Sequence, residues 1–188
     1  MTDIATLHRQ ALAATRRTVA GVSPGDWTQP TPCEGWDVRQ LINHLVVGNW
    51  WAAALATGGT IEQVGTTLDG DQLGAVPLDA YDQSAEAAAV AFEAPGALDA
   101  PCAVSYGPVP GSVYAGHRFI DVAVHGWDLA VATGQDPTLS PALLDACWAV
   151  AEPQAAMLRA SGMFGTDVAI GADADSQTRL LALLGRQA

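Results

Sequence analysis

Between His117 and Ala130 the sequence reads HRFIDVAVHGWDLA, and charged or ionisable residues return every four positions at His117, Asp121 and His125. Residues four apart share one face of a helix, with β-carbons about 5–6 Å apart. The residues between Asp121 and His125 are Val122, Ala123 and Val124, all apolar. Such a segment is embedded among other helices, and a carboxylate within it needs compensation. A metal ion compensates it, and so does a plain Asp–His hydrogen bond.

The rest of the chain supplies the surrounding helices. Ile4, Leu7, Ala11, Leu12 and Val19 recur at helical spacing and predict a first helix over 3–21, stopped by Gly21 and Ser23-Pro24-Gly25. Residues 24–36 read as a loop containing TPCEGW. Asp37 and Gln40 form a capping box for a second helix from Val38 to about Thr57. That helix is roughly 30 Å long. Residues 60–77 read as a long connection, and 78–94 as an Ala-rich third helix. Residues 97–111 suit a short hairpin or an extended loop. Ser112 is placed to cap a fourth helix from Val113 to about Thr133, closed by Gly134. Ser140-Pro141 starts a fifth helix to about Ala160, with a kink expected at Pro153. Irregular chain follows over 163–175, with a candidate strand at DVAI, and a short helix from Gln177 to Leu184. No internal repeat or linker interrupts this order. The expectation is one all-α domain over 1–188: a four-helix bundle with long crossover connections, short C-terminal helices and a minor hairpin.

Charge narrows the partners. Twenty acidic residues face eight basic ones, all of them Arg, giving a net charge of −12. Nucleic acid and anionic membrane both require a basic footprint, so neither is expected. No apolar run reaches the roughly 18 residues of a membrane span, and the opening MTDIATLHRQ has no apolar signal-peptide centre. A cytoplasmic protein is expected. Cys33, Cys102 and Cys147 are odd in number and widely spaced, which argues for buried free thiols over disulfides or a cysteine zinc site.

His44 lies mid-helix among Leu41, Leu45 and Val47. Alone it reads as a core histidine. Together with Asp121 and His125 it offers a third metal ligand from a second helix. Two His and one carboxylate suit Zn²⁺, Ni²⁺ or Fe²⁺ and leave coordination positions open, as catalytic sites do. His117 is a candidate fourth ligand, outer partner or general base. Asp128, three residues past His125, can orient its imidazole, or is a surface acid. His8, beside Arg9, reads as a surface residue. Trp36 and Trp127 read as core packing or caps on the bundle mouth. A catalytic Cys33 would need a lowered pKa, which Glu34 and Asp37 oppose.

PTPCEGWDVRQLINHL, HGWDLAVATG and DSQTRLLALLGR, in this order and spacing, resemble the DinB-like superfamily. The branch they look most like is the actinobacterial one similar to the N-terminal domain of mycothiol-dependent maleylpyruvate isomerase. The resemblance implies a four-helix bundle holding a metal between helices, with His44, Asp121 and His125 at the ligand positions. It places Asp121 where the isomerase has Glu. The isomerase also carries a C-terminal domain without a counterpart in these residues, so its substrate contacts do not transfer. The implied activity is metal-dependent and acts on a small electrophilic molecule. It uses a thiol, mycothiol, for S-transfer or isomerisation, with zinc as the expected ion and His117 as the proton carrier. A homodimer is compatible with this reading. A metal-assisted hydrolase and a non-catalytic metal- or ligand-binding stress protein are the alternatives.

Overall fold

A computed structural model describes residues 2–156 and 168–187. The chain divides into two compact units, 1–136 and 137–188. The first contains α1 (Ile4–Ala20), α2 (Val38–Ala56), the single turn α3 (Ile61–Val64), α4 (Pro77–Glu93), the strands β1 (Pro101–Val104) and β2 (Gly107–Pro110), and α5 (Gly111–Ala132). The second contains α6 (Pro141–Ala151), a 3₁₀ turn at Glu152–Gln154, and α7 (Ser176–Leu183).

Four long helices make the bundle. α1 packs on α4 and α5, and α2 packs on the same pair. Consecutive helices α1 and α2 therefore face each other across a diagonal, as do α4 and α5. The connections that cross the bundle ends are 21–37 and 94–110. The long segment 57–76, expected as a connection, joins neighbours, and it contains α3, a turn with its own Thr60–Gln63 capping box.

Local chemistry explains most boundaries. Asp37 accepts from Gln40 N, and the Gln40 side chain accepts from Asp37 N, completing the expected capping box. The start of α5 differs from expectation. The helix begins at Gly111, and Ser112 lies inside its first turn without capping it. The reason is that Gly111 N donates to Ala100 O and Ser112 N to Leu98 O, so the preceding chain already satisfies these donors. At Pro153, where the kink was expected, a 3₁₀ turn interrupts the helix over Glu152–Gln154, as the missing N–H requires, and residues 155–156 are helical again. The remainder of the expected fifth helix, 157–160, lies outside the described residues, as does residue 167 of the DVAI segment; 168–170 are irregular.

His8 corrects the reading of α1. It is 0% exposed. The buried residues of this helix are Ala5, His8, Ala11, Leu12, Thr15 and Val19, so the helical period places His8 in the inward stripe, one position from the half-buried Arg9. Its ring meets Phe92 edge-on, with centroids 5.2 Å apart. Among the described residues no helix is long and apolar enough to cross a membrane.

Candidate metal centre

α2 and α5 bring three of the predicted residues together. Nε2 of His44 lies 3.3 Å from Oδ1 of Asp121, and Nε2 of His125 lies 3.5 Å from the same oxygen. All three donor atoms are within 4.8 Å of one another. Ligand bonds of about 2.0–2.1 Å at a tetrahedral angle set N and O donors about 3.3 Å apart. The donor set and its spacing therefore fit a small divalent ion.

Arg118 fixes the carboxylate. Its Nη1 donates to Oδ2 of Asp121 at 2.9 Å, leaving Oδ1 for the two imidazoles. Its Nη2 donates to Asn49, whose Nδ2 in turn donates to Ser84. The guanidinium fits there because residue 48 is glycine: a β-carbon at Gly48 would stand 2.5 Å from Nη1. Burial pushes the Asp121 carboxyl up, but Arg118, then His125 and hydrogen bonds from His125 and His44, hold it well below the usual carboxylate range. Burial likewise opposes charge on His125. The Asp121 carboxylate and bonds to Asp121, Asp128 and Cys33 override it and carry the imidazole well above its ordinary value.

The other face of His125 is also occupied. Nδ1 donates to Oδ2 of the fully buried Asp128 at 2.9 Å. Cys33 Sγ donates to the same oxygen at 3.1 Å and lies 3.5 Å from Nδ1. Asp128 is thus an interior residue that orients the imidazole. Cys33, expected as a buried thiol, is half-buried. The TPCEGW loop delivers it. Trp36 N donates to Cys33 O across a turn whose third residue, Gly35, has φ 80°, as a type II turn requires. The Thr31 hydroxyl closes the loop on Trp36 O. The same turn places the Trp36 ring over the site, 4.8 Å from His44 and 6.1 Å from His125, so it caps the rings. Trp127 is core. A groove of about 560 Å³ opens beside His44, bordered by Trp36, Asn43, Val47 and the 68–71 segment.

His117 stands outside this cluster. The tip of the β1–β2 hairpin carries Tyr106, whose hydroxyl is 2.6 Å from Nδ1 of His117. Arg118 and Gly48 were not singled out in the sequence. The first has a readable signal, a cation three residues before Asp121 on the same helix face. The second becomes legible only once α2 faces α5.

The mycothiol maleylpyruvate isomerase N-terminal domain family matches residues 8–130. The chain belongs to this family. An uncharacterized protein of Mycobacterium tuberculosis, found in two strains, is 35% identical over 146 residues, covering 72% of this chain and 70% of its own. The crystal structure of the mycothiol-dependent maleylpyruvate isomerase superposes with a TM-score of 0.60 at 18% identity, over 85% of this chain and 72% of that one. A histidine-to-alanine variant of the isomerase superposes with a TM-score of 0.61 at 16% identity, over 89% and 77%. The two superpositions show that the chain shares the helical fold of the maleylpyruvate isomerase.

Proposed function

We propose that this family member is a metal-dependent enzyme that uses a thiol, mycothiol, to transfer sulfur to, or isomerise, a small electrophilic molecule in the cytoplasm. His44, Asp121 and His125 would hold the ion, with zinc preferred and nickel or iron as alternatives. Such an ion supplies Lewis acidity and lowers the pKa of a thiol that binds it.

The observation that carries this reading is the convergence of two imidazole nitrogens, at 3.3 and 3.5 Å, on one oxygen of Asp121, with a buried arginine behind the acid. The Arg118 guanidinium and the Asp121 carboxylate cancel. The Asp128 carboxylate behind His125 offsets one charge of a divalent ion, so the site keeps a net positive charge and its open side favours an anionic partner such as a thiolate. The chain's own residues do the remaining work. Arg118 holds Asp121 with one oxygen turned to the imidazoles, and Asp128 orients His125. Trp36 shields the rings from water, and the groove beside His44 admits the substrate. His117, one helical turn from Asp121 and hydrogen-bonded to Tyr106, would carry a proton. The family's namesake pairs mycothiol with maleylpyruvate isomerisation, which supports the thiol.

The test is elemental mass spectrometry of the purified protein beside His125→Ala and His117→Ala. We expect about one equivalent of metal in wild type, none in His125→Ala and most of it in His117→Ala. Full metal in His125→Ala would remove the assignment. Turnover of a reactive electrophile only when mycothiol is added then checks the thiol.

A further inference from the structure

His125 belongs to two donor groups. Its Nε2 faces Asp121 and His44, and its Nδ1 faces Asp128 and Cys33. We infer that Cys33, Asp128 and Nδ1 of His125 form a second metal site, for a soft divalent ion such as Zn²⁺ or Cd²⁺, which competes with the first site for this imidazole.

Three observations support it. The donors are of three kinds, S, N and O, and all lie within 4.8 Å of one another. Their separations are 3.5 Å for S–N, 3.1 Å for S–O and 2.9 Å for N–O. Tetrahedral coordination sets sulfur about 3.5 Å from N or O, and N about 3.3 Å from O. Entry of an ion therefore widens the group by only a few tenths of an ångström. Charge closes as well. The ion displaces the thiol proton of Cys33 and the Nδ1 proton of His125, which pass to solvent. A thiolate and the Asp128 carboxylate then neutralise a divalent ion, whereas the first site is left positive. The imidazole keeps its Nε2 proton, directed at Oδ1 of Asp121, so His125 serves one ion at a time. Thiolate ligation selects soft ions over the harder ones that two histidines and a carboxylate also accept. Cys33 is half-buried while Asp128 is fully buried, so an ion reaches the site from the TPCEGW loop.

The experiment is a Co²⁺ titration of the full chain, followed by absorption in wild type, His44→Ala and Cys33→Ser. His44→Ala weakens the first site and keeps the Arg118–Asp121 pair. We expect a thiolate-to-cobalt charge-transfer band in wild type, a stronger one in His44→Ala and none in Cys33→Ser. Cys102 and Cys147 join no donor group among the described residues, so the band reports Cys33. Visible cobalt bands with no charge-transfer band in any protein would overturn the second site and leave the first standing. No cobalt uptake at all would overturn both. A charge-transfer band that survives in Cys33→Ser would also overturn the inference. If Cys33→Ser does not fold, cadmium NMR of wild type decides: a sulfur-ligated resonance supports the site, and purely nitrogen–oxygen ligation overturns it.

Discussion

Arg118 shows how a single buried charge dictates its neighbours. Its guanidinium lies inside the bundle, bonded to Asp121 and Asn49, in space left by Gly48. Gly48→Ala would gain up to about 1 kcal/mol of helix propensity. Overpacking against the guanidinium costs about 1–3 kcal/mol, and Arg118 must withdraw from Asp121. We expect net destabilisation in thermal unfolding and weaker metal binding by calorimetry. His8 sets a pH limit. Burial, helped by the positive charge of Arg118 and Arg9, lowers its pKa to about 3 from an ordinary 6.5. A depressed histidine means that the unfolded chain binds a proton the folded chain refuses. Stability from this group is present above about pH 6.5 and is lost as pH falls toward about 3, by about 2 kcal/mol between pH 7 and 5. His8→Leu should lack that increment, measured as the difference in urea stability between the two pH values. Neither residue was legible as it stands. For His8 the helical period argued for burial, but polar type and the adjacent Arg9 argued for the surface. For Gly48 the decisive partner is on another helix.

At the scale of elements, the helices were readable because their punctuation is local. Asp37 with Gln40, Gly134 after α5, and the Pro and Gly clusters between segments each act within a few residues. The start of α5 was misplaced because its donors are satisfied by Leu98 and Ala100, which act through the fold of the hairpin. That hairpin also decides where His117 is held. β1 and β2 pair in antiparallel register from Pro101–Pro110 to Val104–Gly107, leaving Ser105 and Tyr106 as the tip. Tyr106→Phe keeps the ring and removes the hydroxyl from Nδ1 of His117. The loss should be about 0.5–1.5 kcal/mol in thermal unfolding. Metal content should not change, because neither residue is in the ligand cluster. A fall in thiol-dependent turnover at constant metal would mark the pair as the proton carrier.

For the whole molecule, the two units are unequal in what they contain. The four long helices, both donor groups on His125 and the span matched by the family, 8–130, all lie within 1–136. A unit of that size lies above the roughly 70–80 residues at which one hydrophobic core becomes sufficient. The second unit buries Leu143, Cys147, Leu180, Leu181 and Leu184. With roughly fifty residues it falls in the range where a lone core is marginal. The two fragments should therefore behave differently when made separately. Residues 1–136 should show helical circular dichroism, unfold cooperatively in urea and take up metal as the full chain does. Residues 137–188 alone should give little helical signal and no cooperative transition. A non-cooperative 1–136 would mean that the core is completed by the second unit and that the chain folds as the single domain its sequence suggested. Cooperative folding of 1–136 with metal uptake would place the whole of the proposed chemistry in the bundle and leave residues 137–188 as an addition to it.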